Sequence, residues 1–451
     1  MVAALGTGAY LAALDVSIVN AVLPVVAEAF GTDLSAIEWM VTTYLLVQSA
    51  LMLTVGRLGD LWGHKKVYLL GLAVFGLSSV VCGLATSTPW LIAGRAVQAI
   101  GASAIFTNLA AILTHAFPPE QRGRAVGVQA TIVYVGLATG APLGGWLTGA
   151  LGWQSVFFVN IPFALVALLL GVGVVPADAP TGRREPFDLS GAAVYALGLG
   201  LLLLGLNQGH AWGWTSTAVV GCLLLGLALL VGWIVIERRV PSPMIELSLF
   251  GQRAFTAPIV SALLNYVAVS SGFLLPFALI QGRGLSPAQA GLILTCQPVA
   301  MALAASVSGA LSDRIGTRAP TTVGMLVVSL GLFLLSRQDA STPVALFAAA
   351  LLLTGVGIGL FTSPNSSAVL GAVPAQRRGV ANAILGTART LGMVLGTGIA
   401  GAVYATTLGL NGDPGPEGIL RAAGTGLLVA SGVALLGAVT SATRLRPAAG
   451  T

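Results

Sequence analysis

The sequence predicts an all-α integral membrane protein of fourteen transmembrane helices: two six-helix bundles with an extra pair of helices between them. Three observations carry that prediction. Of the 451 residues, 56% are hydrophobic and only 8% charged, with a mean hydropathy of +0.92. Soluble chains carry roughly 25% charged residues. Second, the chain resolves into apolar runs of membrane-spanning length. Third, the first half of the pattern is repeated in the second.

A bilayer core about 30 Å thick needs about 20 apolar residues at a helical rise of about 1.5 Å per residue. Such runs occur at 2–26, 38–58, 66–87, 89–114, 123–150 and 155–175. Further runs occur at 189–207 and 216–236, then at 254–280, 288–312, 319–336, 342–370, 379–408 and 419–442. Several links are only a few residues long, so neighbouring helices are antiparallel. The first run contains "VVAEAF", a small-x-small triplet of the kind signal peptidases cut. No basic region precedes it and Asp15 interrupts its core, so the run is read as a retained helix.

Charge sets the orientation. Of 21 Lys and Arg residues, sixteen fall in alternate loops or the C-terminal tail, among them Lys65, Lys66, Arg122, Arg314 and Arg377. Arg283, Arg337 and Arg421 lie on the opposite side, and Arg95 and Arg389 inside spans. This asymmetry predicts a multi-pass protein of the plasma or inner membrane with both termini in the cytoplasm. The net charge of +6 is therefore a topology signal and not the mark of a nucleic-acid partner. Cys82, Cys222 and Cys296 are scattered in apolar runs, and the three histidines lie far apart, so neither a disulfide framework nor a metal site is expected.

"GRLGDLWGHKK" at 56–66 is answered by "GALSDRIGTRA" at 309–319, 253 residues later. "PEQRGRAVG" at 119–127 is answered by "PAQRRGVAN" at 374–382, at an offset of 255. Two motifs at nearly one offset indicate homologous halves, a transporter architecture with a substrate site between them near the midplane. The predicted domains are an N-terminal bundle at 1–175, a linker with the extra helix pair at 176–253, and a C-terminal bundle with its tail at 254–451. The extra pair carries no charged side chain within its spans, which predicts a lipid-facing position.

With "LDVSIVNAVLP", "GRLGDLWGHKK", "LIAGRAVQAIGAS", "GLATGAPLGGWL" and "LGWQSVFFVNIP" in one order, the chain resembles the major facilitator superfamily, and within it the fourteen-span drug:proton antiporters. The resemblance covers essentially the whole chain. Leu61 and His64 stand where that family's loop motif usually has arginine. The resemblance implies a cytoplasmic gate in which Asp60 faces the start of span thirteen around Arg377, and Asp313 faces span five around Arg122. Gly56, Gly63, Lys65, Lys66 and Arg314 complete the two loop motifs. It also implies that "GLATGAPLGGWL" is the antiporter motif, with Gly136, Gly140, Pro142, Gly144 and Gly145 as its working residues.

The residues themselves point the same way. Gly136, Gly140 and Gly144 recur every four positions, which gives one helix face no side chains and admits a close neighbour, while Pro142 bends the helix. Asp15 in span one and Arg95 in span four fall at similar depth. A charge inside a span costs about 2.5–3.5 kcal/mol unless it meets a cavity or a partner. Both are expected to face the central cavity, Asp15 as proton carrier and Arg95 as its modulator; the competing reading is a fixed pair that orients helices. Gln98, one turn after Arg95, shares its face.

Arg389 is the lone charge inside the spans of the second half. It meets Asp15, or binds an anionic substrate group, or turns its stem towards water or backbone carbonyls. Gln48, Tyr134, Asn265, Tyr266 and Gln297 are the remaining mid-depth candidates for a cavity wall. A cavity so apolar suits hydrophobic or amphipathic drugs or secondary metabolites, since apolar contacts discriminate little. The expected function is proton-coupled export by alternating access. A dedicated self-resistance exporter and a lipid-translocating transporter are the alternatives. No clustered catalytic groups and no phosphate-binding loop are present, so neither an enzyme nor an ATP-driven pump is expected. No cofactor is expected beyond a proton gradient. A lone aspartate without a coordinating cage favours H⁺, and a monomer is the default.

Overall fold

A computed structural model describes residues 2–32, 34–116, 119–175, 189–213, 215–239, 247–373, 378–411 and 415–443. These residues are almost wholly helical and form two compact units, Met1–Met244 and Ile245–Thr451.

The first unit contains α1 (Val2–Phe30), α2 (Leu34–Trp62), α3 (His64–Gly83), α4 (Thr88–Ala116), α5 (Pro119–Leu151), the short α6 (Ser155–Phe158), α7 (Asn160–Val174), α8 (Leu189–Trp212) and α9 (Thr217–Glu237). In it α1 packs along α5, α4 packs on α2 and α3, and α7 closes against α1 and α3. The extra pair joins this unit through α8, which packs on α2, and α9 leans on α8. Leu224 on α9 is 64% exposed, a surface suited to acyl chains and not to water.

The second unit contains α10 (Arg253–Ser270), α11 (Leu275–Phe277), α12 (Pro287–Leu294), α13 (Cys296–Ile315), α14 (Arg318–Ser336), α15 (Val344–Gly371), α16 (Arg378–Asn411) and α17 (Pro416–Ala442). Here α15 packs on α13 and α14, α17 on α14, and α10 on α16 and α17. Between α10 and α11, and again after α11, the span passes through a 3₁₀ and a π turn around Pro276, which has no N–H to give.

Glycine decides where helices cross. A Cβ on Gly71 would lie 2.9 Å from the Gly101 carbonyl oxygen, so α3 and α4 touch backbone to backbone. A Cβ on Gly324 would lie 2.8 Å from the Gly357 carbonyl oxygen, and α14 crosses α15 in the same way. The loops that carry the repeated motif match as well. Gly63 (φ 98°) and Gly316 (φ 82°) both adopt left-handed backbone, which only glycine enters without strain.

Among the described residues, eleven helices are long and apolar enough to cross a membrane. The other three predicted runs fall on α2, α5 and α8. The all-helical, membrane-embedded architecture thus stands as the sequence predicts.

Candidate functional site

Five helices of the first unit converge on Asp15. Its carboxylate, on α1, is fully buried. Oδ2 accepts a hydrogen bond from Arg95 Nη1 of α4 at 2.6 Å. Oδ1 accepts from Asn160 Nδ2 of α7 at 2.7 Å and from Gln98 Nε2 of α4 at 3.0 Å. Gln98 sits one helical turn after Arg95 and so shares its face. Its Oε1 accepts from Arg95 Nη1 at 2.5 Å, and its Nε2 also donates to Ser79 Oγ of α3 at 2.8 Å. The Arg95 guanidinium lies 4.1 Å from the centroid of the Tyr44 ring of α2, a cation–π contact.

Asp15 and Arg95 are 0% and 1% exposed. Each charge is sheltered by a partner of its own unit. A buried pair tolerates low dielectric only when its remaining valences are filled, and here three donors serve one carboxylate. Two polar atoms of the residues touching the pair, Tyr44 Oη and Asn160 Oδ1, are buried without a hydrogen-bond partner among the described residues.

The helix that holds Asp15 is gripped by the glycine face of α5. A Cβ on Gly136 would stand 2.7 Å from the Tyr10 carbonyl oxygen, and one on Gly140 would stand 2.5 Å from Ser17 Cβ. One on Gly144 would meet Ile18 Cγ1 at 2.7 Å. Gly145 is buried and Pro142 half-buried on the same helix. Polar ties flank the smooth face: Ser17 Oγ donates to the Leu137 carbonyl at 2.7 Å, and Tyr10 Oη lies 2.9 Å from Thr139 Oγ1. The small-residue stripe of α5 therefore packs on the helix that carries Asp15, through Tyr10, Ala13, Leu14, Ser17 and Ile18, while the carboxylate bonds to α4 and α7.

A family model described as the Major Facilitator Superfamily matches residues 5–191 and 255–450. The chain belongs to the major facilitator superfamily. The riboflavin transporter RibZ of Clostridioides difficile (strain 630) is 34% identical, over 90% of this chain and 88% of that protein. The multidrug resistance protein Stp of Mycobacterium tuberculosis (strain ATCC 25618 / H37Rv) is 32% identical, over 91% of this chain and 76% of that one. The fold matches that of a bacterial homologue of the human lysosomal transporter Spinster, solved inward-facing and unoccupied, with a TM-score of 0.70 at 17% identity. That match covers 99% of this chain and 98% of that one. This member of the superfamily is a multi-pass membrane transporter of small molecules and not an enzyme, and drug-resistance proteins stand among its relatives.

The other predicted residues of this superfamily member are scattered. Lys65, expected in a gate, donates Nζ to the carbonyls of Val172 at 3.0 Å and Val175 at 2.5 Å. It caps the C-terminal end of α7, where unpaired carbonyls concentrate negative potential. His64 Nδ1 lies 2.9 Å from Asn108 Oδ1 and pins the start of α3 to α4. Gly56 lets α2 approach Thr107, since a Cβ there would be 2.8 Å from its methyl group. Lys66 and Arg314 are exposed. The side chains of Asp60, Arg122 and Asp313, and the whole of Arg377, lie outside the described residues.

Of the cavity-wall candidates, Gln48 and Asn265 are buried, and Tyr134, Tyr266 and Gln297 half-buried. In the second unit Arg389 Nη2 donates to Ser366 Oγ at 2.7 Å, and its guanidinium lies 5.8 Å from the Tyr266 ring centroid. Its described contacts are thus within its own unit, while the oxygens of Asp15 are occupied in the other. A cavity of about 640 Å³ opens elsewhere in the second unit, beside Arg337, Asp339, Glu417 and Arg421; none of the predicted site residues lines it.

Asn160, Tyr44 and Ser79 are site residues that sequence reasoning missed. Asn160 had a signal: it is a lone amide in the apolar run "VFFVNIPFALVALLL". Tyr44 and Ser79 had none, because phenol and hydroxyl groups are common in spans and name no partner.

Proposed function

We propose that this chain exports hydrophobic or amphipathic small molecules in exchange for protons, by alternating access, with Asp15 as the proton carrier. The carrying observation is the buried Asp15–Arg95 ion pair on the helix that packs against a side-chain-free face of α5. Protonation removes the charge that Arg95, Gln98 and Asn160 hold, so each donor loses part of its attraction and α1 loosens from α4 and α7. The smooth α5 face lets α1 shift without passing over side chains. Tyr44 Oη and Asn160 Oδ1, buried without partners, are where water reaches the carboxylate when the helices part.

In this reading all fourteen predicted helices cross the bilayer of a plasma or inner membrane, both termini face the cytoplasm, and the monomer is the working unit. Gln48, Tyr134, Asn265, Tyr266 and Gln297 supply the polar contacts to substrate. A second reading, a carrier dedicated to one metabolite, is favoured by the likeness to a riboflavin transporter.

The test is substrate-induced proton movement in proteoliposomes holding a pH-sensitive dye, run across a panel that includes riboflavin, ethidium and neutral hydrophobic drugs. Exporter activity appears as a dye response to several unrelated compounds, and it is lost in Asp15→Asn. A response to riboflavin alone supports the dedicated carrier. Transport that ignores the pH gradient, or is unchanged in Asp15→Asn, overturns the coupling scheme.

A further inference from the structure

The second unit holds a cation inside its spans, Arg389, that has no counter-charge among the described residues. Arg389 lies on α16 one turn before Gly392, on the face where a Gly392 Cβ would stand 2.5 Å from the Leu263 carbonyl oxygen of α10. It thus sits where α10, α15 and α16 meet, against Tyr266 and Ser366. A guanidinium offers five N–H donors. Among the described residues only one of them, on Nη2, has an acceptor, and Nε is buried without a partner. The acceptor is itself neutral and already committed, for Ser366 Oγ spends its own hydrogen on the Thr362 carbonyl at 2.8 Å.

No described carboxylate pairs with Arg389, and spans nine to fourteen contain no acidic residue between their ends. Two further polar side chains of the same helix pair are unspent. Asn265, next to Tyr266, is fully buried with neither amide atom hydrogen-bonded, and Thr387 Oγ1 is buried without a partner. Contrast Arg95, whose charge is met by a carboxylate and an amide. Arg95 shows what an intramembrane arginine provided with its own acceptors looks like. Arg389 has the donor pattern of a site that awaits an anion.

We propose that Arg389 binds a negatively charged group of the transported molecule, so that the substrates include amphipathic organic anions: carboxylates, enolates or phenolates attached to an apolar body. The Tyr266 ring braces the guanidinium, Ser366 fixes one of its edges, and the unpartnered Nε–H donates to the anionic oxygen. This rests on the exporter reading above and narrows its substrate class.

The experiment uses the full chain in proteoliposomes of phosphatidylcholine, with fluorescein as the anionic probe and ethidium as the cationic one. Wild type is expected to transport both. Arg389→Gln is expected to lose fluorescein transport about tenfold or more, the worth of one charge-assisted hydrogen bond, while ethidium transport stays within about twofold. Arg389→Lys keeps the charge and is expected to restore part of the anion transport. Ethidium transport by Arg389→Gln also reports that the variant is folded. Equal loss of both probes, or no loss of either, overturns the proposal, as does wild-type transport of ethidium without fluorescein. If wild type moves neither probe nor any compound of the wider panel, the exporter reading itself fails. A repeat in vesicles containing phosphatidylglycerol separates substrate from lipid. If the variant differs from wild type only there, the anion is a lipid headgroup and the proposal falls.

Discussion

Asp15 and Ala268 occupy the same place in the two repeated units. A Cβ on Gly136 would meet the Tyr10 carbonyl oxygen, Ala13 Cβ and the Leu14 nitrogen. A Cβ on Gly392 would meet the Leu263 carbonyl oxygen, Tyr266 Cβ and the Val267 nitrogen. The next residue is Asp15 in one unit and Ala268 in the other, both fully buried. The Gly71–Gly101 and Gly324–Gly357 crossings align Arg95 with Leu351 in the same way, and Leu351 belongs to the apolar core of its unit. One bundle thus carries a buried ion pair where its twin carries alanine and leucine.

That comparison predicts how the pair behaves when cut. Removing one partner of a buried ion pair costs about 3–5 kcal/mol, because the other charge is left stranded. Arg95→Met should therefore lower the melting temperature of the purified protein clearly. The double variant Asp15→Ala, Arg95→Leu, which copies the second unit, should recover most of the loss. A double variant no more stable than Arg95→Met would mean that the pair and its surroundings do not act as a unit.

Asn160 binds Asp15 from a third helix, at 2.7 Å. Asn160→Leu removes a hydrogen bond to a charged acceptor, worth about 1.5–3 kcal/mol. The expected result is lower thermal stability in a wild-type background and about half of that loss in Asp15→Asn, since a neutral amide oxygen accepts a weaker hydrogen bond. Equal destabilisation in both backgrounds would show that Asn160 matters only for packing.

The grip of α5 on α1 is steric and can be tested at one atom. Gly140→Ala places a methyl group 2.5 Å from Ser17 Cβ and 2.9 Å from the Ile18 nitrogen, forcing the helices apart. Transport should fall at least tenfold or folded yield should collapse. Gly149, on the same helix, has nothing within 4 Å of an added Cβ, so Gly149→Ala should match wild type in both assays. A Gly140→Ala protein with normal transport would remove the close interface from the mechanism.

Away from the spans, Asp339 organises the loop between α14 and α15. Its Oδ1 accepts from the Ser341 hydroxyl and backbone N–H at 2.7 and 3.0 Å, and from the Thr342 hydroxyl and N–H, both at 2.9 Å. The Ser341 and Thr342 hydrogen bonds hold its carboxyl below the ordinary range. A depressed folded-state value stabilises the loop above the unfolded value of about 3.9, and this is lost as pH falls through the lower folded value. Limited proteolysis at neutral pH should cut Asp339→Ala faster than wild type in this loop. With an acid-tolerant protease, the difference should persist at pH 5 and narrow only under stronger acid.

Much of this was legible in the sequence. Apolar run lengths give the helices, because a bilayer of fixed thickness and a fixed helical rise leave little else for the chain to do. A charge inside an apolar run is conspicuous, so Asp15, Arg95 and Arg389 could be marked by inspection. The glycine spacing of α5 marked a close interface, although not which helix fills it. The contacts of Lys65 were not legible, because the last carbonyls of α7 lie 107 and 110 residues away and carry no side-chain signature.

The sequence by itself determined the membrane solvent, the repeated halves and the identity of the intramembrane charges, since each follows from composition and period along the chain. Tertiary structure alone decided that Asp15 is enclosed by Arg95, Gln98 and Asn160 while Arg389 is left with a serine and a tyrosine ring. The physical reason is that the cost of a buried charge depends on which donors and acceptors come within about 3 Å of it. That set is assembled from helices far apart in the chain.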